Sequence, residues 1–340
     1  MSEINPLRII QAGLGFWQAK CLLSAIELDL FTELGKGPKT KKEIGEALGL
    51  HPKGIPDFLD GLVAMTFLER DGSGEAALYR NTEETGRFLD RNSSEYMGAY
   101  LEMANSRLFP FWVGLTETLR TGRPQNEVRS SGPQIFDELY RNPDRLEQYI
   151  RAMQGIGTPN FREFARKFDF SGYRTLCDVG GASGQLSIEV ARANAHMRCV
   201  TCDLQAVEPI AKRTVAAAGL TERVDAVLCD MFKDPFPPAD VITMGMVLHN
   251  WSLEQQVFLI RKAYETLPPG GAFVALENII DDERRENLFG LMMSLNMLVS
   301  CGNAADFTGR DFMAWCREAG FQRIEILPLV GPCSAGIAWK

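Results

Sequence analysis

From residue 172 onward the chain alternates short apolar runs with helix-length segments, and this change of period restricts the fold more than any other feature of its 340 residues. The runs are "TLCDV", "RCVTCDL", "VDAVLC", "DVITMGMVL" and "AFVALEN". Short apolar runs separated by helices build a parallel sheet covered on both faces. The last two runs, "FQRIEIL" and "CSAGIAW", are joined only by "PLVGP". A connection that short cannot cross over in parallel, so this pair is expected as an antiparallel hairpin. The fold class is α/β, Rossmann-like, with an antiparallel last strand.

The preceding residues obey different periods. "LRIIQAGLGFWQAKCLLSAIELDLF" is helical in length and apolar on more than one face, which a solitary surface helix would not be. It is expected to bury itself against a second subunit. Thr40 and Glu43 form a capping box, Ile55, Leu59, Leu62 and Thr66 mark one helical stripe, and two short strands flank Gly72 and Gly74. Helix, helix and hairpin in this order read as a winged helix over 1–95. Residues 96–170 read as a helical linker rich in large apolar groups: Met103, Phe109, Phe111, Trp112, Phe136, Tyr140, Met153 and Phe161. Some of these are expected to wall a ligand cleft. The α/β domain takes 171–340.

A winged helix raises the question of DNA. The recognition helix carries Asp57 and Asp60 against Lys53, and the chain has 36 basic and 44 acidic side chains, a net charge near −8. Such a balance repels phosphate backbones and anionic membranes, so no nucleic acid and no membrane is expected as a partner. The longest apolar runs fall far short of the roughly 20 residues that span a bilayer and "MSEINPLRII" has no leader pattern, which reads as a soluble, cytoplasmic chain. Cys199 and Cys202 form a CxxC within one strand, without a second pair or a histidine, so buried structural cysteine is expected and no metal.

"CDVGGASGQLSIEVA" sets a glycine-rich turn between the first strand and a helix, where an open α/β sheet accepts a nucleotide. The dinucleotide spacing GxGxxG is absent, and Asp178 ends the strand beside Gly180, Gly181 and Gly184. A carboxylate there repels a pyrophosphate and favours a ligand carrying positive charge. That argues against NAD and for S-adenosylmethionine, a sulfonium with an ammonium and no phosphate. Asp203, followed by Leu204, ends the second strand 19 residues after Gly184, placed to receive both ribose hydroxyls. Asp230 and Met231 end the third, placed for the adenine amino group and ring.

His249, one of three histidines, follows the fourth strand in "MVLHNW", and Ser252 with Gln255 caps the next helix. This puts the imidazole in a loop at the carboxyl edge of the sheet. A hydroxyl is a poor nucleophile until its proton leaves, and a neutral imidazole suits that task if its other nitrogen is held by a carboxylate. Glu277, near the end of the neighbouring strand and 28 residues later, is the candidate holder.

From the dimerisation helices through "DVGGASG", "LHNW" and "LENIIDDE" to the terminal hairpin, the chain resembles the class I S-adenosylmethionine-dependent O-methyltransferases of the caffeic acid and acetylserotonin type. The resemblance implies a homodimer and a methyltransferase acting on a small-molecule acceptor, with S-adenosyl-L-methionine as cofactor and no metal. It implies ribose binding by Asp203, adenine binding by Asp230 and Met231, a cofactor contact by Tyr140, and catalysis by His249 and Glu277. It also implies an acceptor slot drawn from Met103, Asn105, Met153, Met246, Asn250, Met293 and Met297.

Three positions depart from the family pattern. Ala182 replaces the third glycine of DVGGGxG, Asn250 replaces an Asp, and Gly309 stands where the plant enzymes have a second orienting glutamate. With one carboxylate missing, the imidazole is expected to be less firmly polarised. O-methylation with His249 as base is the leading reading. S-methylation of a methylthio-hydroxy acid, which needs no base, is a second, with Arg107, Arg141, Arg151 and Asn105 as carboxylate partners. A winged-helix regulator that senses S-adenosylmethionine is a third.

Overall fold

The computed structural model describes residues 4–129 and 139–340; Phe136 lies outside the described residues. The chain forms two compact units, Met1–Phe109 and Pro110–Lys340, so the stretch 96–170 is divided between them.

The first unit comprises α1 (Leu7–Gly13), α2 (Gly15–Glu27), α3 (Leu30–Leu34), β1 (Lys39–Thr40), α4 (Lys41–Leu48), α5 (Ile55–Ala64), β2 (Leu68–Asp71), β3 (Leu78–Asn81), α6 (Glu83–Phe88) and α7 (Gly98–Met103). Helix α4 starts at the expected capping box, with Glu43 N donating to Thr40 Oγ1 at 3.3 Å and Thr40 N to Glu43 Oε2 at 2.8 Å. Ile55, Leu59 and Leu62 of α5 are buried against Leu30, Phe31 and Ile44. Thr66, expected on the same stripe, lies past the helix end in a left-handed conformation that turns the chain into β2. The three strands form an antiparallel sheet in the order β1-β3-β2, completing the winged helix.

Leu7, Ile9, Ile10, Leu14, Phe16 and Trp17 remain exposed along α1 and the first turn of α2. By length and composition the helical stretch Leu7–Glu27 is apolar enough to cross a membrane. The sequence hid this because Arg8, Gln11, Gln18 and Lys20 interrupt the run without lowering the helix's average enough.

The second unit contains α8 (Leu115–Thr121), α9 (Pro143–Lys167), β4 (Thr175–Val179), α10 (Gln185–Ala193), β5 (Arg198–Asp203), α11 (Glu208–Ala217), β6 (Val224–Leu228), β7 (Val241–Gly245), α12 (Leu253–Thr266), β8 (Ala272–Glu277), α13 (Leu288–Cys301), α14 (Gly309–Ala319), β9 (Arg323–Pro328) and β10 (Ser334–Trp339). Seven strands form one sheet in the order β6-β5-β4-β7-β8-β10-β9, parallel except for β10, which runs antiparallel to both β8 and β9. The terminal hairpin is as the short linker requires.

Period-2 alternation sends successive residues to opposite faces. Phe273 and Ala275 of β8 pack with Ile242, Met244, Leu259 and Phe312 on one face, while Ala272, Val274 and Leu276 pack with Leu176, Ile188 and Phe164 on the other. Cys199 and Cys202, three residues apart, fall on opposite faces by the same rule and cannot share a metal ion. Strand order reverses beside β4, which opens a crevice at the carboxyl ends of β4 and β7.

Candidate active site

That crevice holds a cavity of about 520 Å³. Its wall takes residues from the ends of four parallel strands: Asp178, Gly180, Gly181 and Ala182 after β4, Asp203 and Leu204 after β5, Asp230, Met231 and Phe232 after β6, and Gly245, Met246 and Asn250 after β7. Tyr140 and Met153 line it too. Gly184 lies behind the wall as the N-cap of α10, left-handed at φ 76°.

The turn after β4 has little room for side chains. A Cβ at Gly181 would lie 2.0 Å from Thr201 Oγ1 and 2.6 Å from Asp178 Oδ2, and one at Gly180 would lie 2.9 Å from Val247 Cγ2. Ala182 adopts φ 49° despite its side chain, and its methyl packs with Leu146, Ile150 and Val207. The missing third glycine is therefore a strained alanine with a hydrophobic contact.

Asp178 is buried and accepts a hydrogen bond from Thr243 Oγ1 at 2.8 Å. Burial pushes its carboxyl up to about 7, with the charge of Asp203 adding to the shift. Asp203 accepts from Leu204 N at 2.7 Å and Ala182 N at 3.0 Å, yet burial still pushes it up to about 6. Both acids would gain from a cation or hydroxyl donors in the cavity. Asp230 accepts from Phe232 N at 3.0 Å and pairs with Lys233 Nζ at 2.7 Å. Phe232 meets Trp251 edge to face, with centroids 4.7 Å apart, beside Met231. Sequence reasoning missed this aromatic corner, although "MFKDPF" and "HNW" each placed one ring beside a chosen residue.

His249 sits in a short helical turn, Leu248–Asn250, between β7 and the Ser252 capping box. One oxygen of Glu277 accepts from Val247 N at 3.0 Å and Leu248 N at 2.9 Å, which fixes the turn; the other lies 3.0 Å from His249 Nδ1. A second carboxylate, Asp306 Oδ1, lies 3.3 Å from the same nitrogen. All three side chains are buried. This corrects the expectation built on Gly309: the second acid is present, three residues earlier. Bonding of Ile280 N to Phe307 O at 2.9 Å draws the loop alongside the end of β8. The sequence signal is an acid inside "AADF", immediately before the capping box Thr308–Asp311.

Burial alone would oppose a charge on the His249 ring, but Glu277 and then Asp306 outweigh it and hold its pKa well above the ordinary value. Both carboxylates converge on Nδ1, which leaves Nε2 as the basic nitrogen. The three groups lie close enough to hold a metal ion; with the ring protonated the cluster keeps one net negative charge.

The remaining sites divide. Met246 is left-handed at φ 56°, and its carbonyl accepts from Asn250 Nδ2 at 3.0 Å. Met293 and Met297, on α13, pack with Cys301 and Ala304 and do not line the cavity; Asn296 of the same helix accepts from Trp112 Nε1 at 2.9 Å. Met103 and Asn105 belong to the first unit. There Met103 is buried, and the Asn105 amide is engaged by Lys20 and Glu27, each at 2.6 Å.

Residues 112–322 match the family of O-methyltransferase domains, and residues 10–91 match the O-methyltransferase dimerisation domain, which supports a homodimer. The chain is 36% identical to the tetracenomycin polyketide synthesis 8-O-methyl transferase TcmO of Streptomyces glaucescens, covering 99% of this chain and 97% of the relative. It is 33% identical to the N,N-dimethyltransferase OxyT of Streptomyces rimosus, covering 92% and 90%. The solved structure of human N-acetylserotonin methyltransferase in complex with S-adenosylmethionine superposes with a TM-score of 0.92 at 27% identity, covering 100% of this chain and 99% of that one.

Proposed function

Because the chain belongs to the S-adenosylmethionine-dependent O-methyltransferase family, we propose that its crevice transfers a methyl group to a phenolic hydroxyl of an aromatic small molecule, with His249 as general base. The observation that carries this reading is the pair of buried carboxylates on His249 Nδ1. They fix the ring, stabilise the imidazolium formed when Nε2 takes the acceptor's proton, and so suit an acceptor that has a proton to give. A thioether has none, which argues against S-methylation. The same trio would serve no purpose in a regulator.

The cofactor supplies an electrophilic methyl on a sulfonium. Asp178 and the close-packed Gly180 and Gly181 would hold its amino-acid end, Asp203 and Leu204 the ribose, and Asp230, Met231 and Tyr140 the nucleoside, with Gly184 opening the supporting helix. Glu277 and Asp306 orient His249. Met153, Met246 and Asn250 would meet the acceptor. Enclosure aligns nucleophile and methyl and keeps water out.

An aromatic acceptor is supported by TcmO and by the relative named 3-hydroxy-5-methyl-1-naphthoate 3-O-methyltransferase, 30% identical over 98% of this chain. OxyT makes an amine the second acceptor class to test. The exposed face of α1 and α2 would lie in the dimer interface, 1–95 would act as the dimerisation domain and 171–340 as the catalytic domain, and the enzyme would work in the cytoplasm. A panel of phenols, naphthols, aromatic amines and methylthio acids, scored by S-adenosylhomocysteine release, tests the proposal: turnover confined to sulfur acceptors would overturn it.

A further inference from the structure

A chain of polar side chains runs from the surface to the cavity, apart from the His249 cluster. Glu189, on α10, is buried, and its carboxylate faces Arg162 Nε at 3.3 Å and Arg192 Nη1 at 3.5 Å. The Gln185 amide donates through Nε2 to Glu189 Oε1 at 2.8 Å. The Gln154 amide donates through Nε2 to Gln185 Oε1 at 3.0 Å. Both glutamines line the cavity.

The order of donors is forced by chemistry. An ionised carboxylate only accepts, so Glu189 must receive the NH2 of Gln185. Gln185 then presents its carbonyl to Gln154, which must answer with its own NH2. At the end of this relay Gln154 Oε1 stays open as an acceptor, with no donor from the protein among the described residues, beside the second N–H of its own amide. Gln185 opens α10 directly after the glycine turn, so this oxygen belongs to the Asp178 end of the cavity. That wall already carries Asp178 and Asp203. An added acceptor there fits a cation with several N–H bonds to give.

We infer that Gln154 receives the ammonium of the cofactor's amino-acid end, and that Glu189 is a positioning residue that sets which end of both amides faces inward. The inference rests on the reading of the cavity as the cofactor site.

Calorimetry with two probes separates the cases. S-adenosylhomocysteine carries the amino-acid end, whereas 5′-methylthioadenosine shares its nucleoside and sulfur but lacks that end. Gln154→Met and Glu189→Gln should each weaken S-adenosylhomocysteine about tenfold, the cost of a hydrogen bond to a charged group, and leave methylthioadenosine within about twofold. Equal losses for both probes, or an unchanged affinity for S-adenosylhomocysteine, overturn the inference. Should Glu189→Gln lose the native circular dichroism, Gln154→Met alone decides. Wild-type protein that binds neither probe contradicts the cofactor reading instead.

Discussion

Asp306 Oδ1 lies 3.3 Å from Nδ1 of His249, on the nitrogen that Glu277 Oε2 approaches to 3.0 Å. Two acids on one buried imidazole nitrogen make the opposite nitrogen a stronger base than a lone histidine. They also make the ring costly to deprotonate, since its pKa is held well above the ordinary value.

The base must be neutral to accept a proton, so activity should rise with pH along a limb whose midpoint lies above the ordinary histidine value of about 6.5. Asp306→Asn removes one negative charge and should move that limb to lower pH. The maximal rate should fall about tenfold or more as the imidazolium loses a partner. An unmoved limb and an unchanged kcat in the pH profile would reduce Asp306 to a buried neighbour.

Asp178 gives the second pH dependence. Its carboxyl is raised to about 7 without ligand, so the protonated form is favoured in the folded protein, and the stability this gives is lost as pH rises through that value. A cationic ligand selects the ionised form. Affinity for S-adenosylmethionine should therefore climb between about pH 5 and 7, approaching tenfold per unit, and flatten above. Asp178→Asn should be weaker throughout and lose the slope between about pH 6 and 7, keeping only what Asp203, raised to about 6, contributes below that. A wild-type titration without slope below pH 7 would exclude this linkage.

Asp203→Ala should weaken S-adenosylhomocysteine by about 1 to 3 kcal/mol, the loss of hydrogen bonds to a charged group. Unchanged calorimetric affinity would show that the ribose lies elsewhere.

Ala182 offers a stability test. A non-glycine residue in the left-handed region costs about 1 kcal/mol or more relative to glycine, and the small methyl contact with Leu146, Ile150 and Val207 offsets part of it. Ala182→Gly should raise the urea midpoint slightly. A lowered midpoint would mean that packing outweighs backbone strain at this turn.

The sheet was legible because its strands are short, apolar and bounded by turn residues, and "PLVGP" forced the last pair to be antiparallel. Asp178, Asp203 and Asp230 were legible because each ends a strand, and parallel strands bring their ends to one edge. Asp306 was not, because it lies in a loop placed by the pairing of Ile280 with residues 307 and 308 across the fold. No local period announces such a neighbour. Gln154 escaped for another reason: a glutamine in a helix reads as a surface residue until Gln185 and buried Glu189 stand opposite it. Thr66 failed by continuation of a helical stripe past the point where the backbone turns left-handed.

Catalysis turns on His249 removing a proton from an oxygen acceptor. Its most direct measurement is the single-turnover rate of methyl transfer by His249→Ala, with a phenolic acceptor found in the panel, alongside calorimetric affinity for S-adenosylhomocysteine. With His249 as the base, the variant's rate falls at least about a hundredfold with cofactor affinity unchanged. A rate near that of the wild-type enzyme at the same cofactor affinity would contradict it.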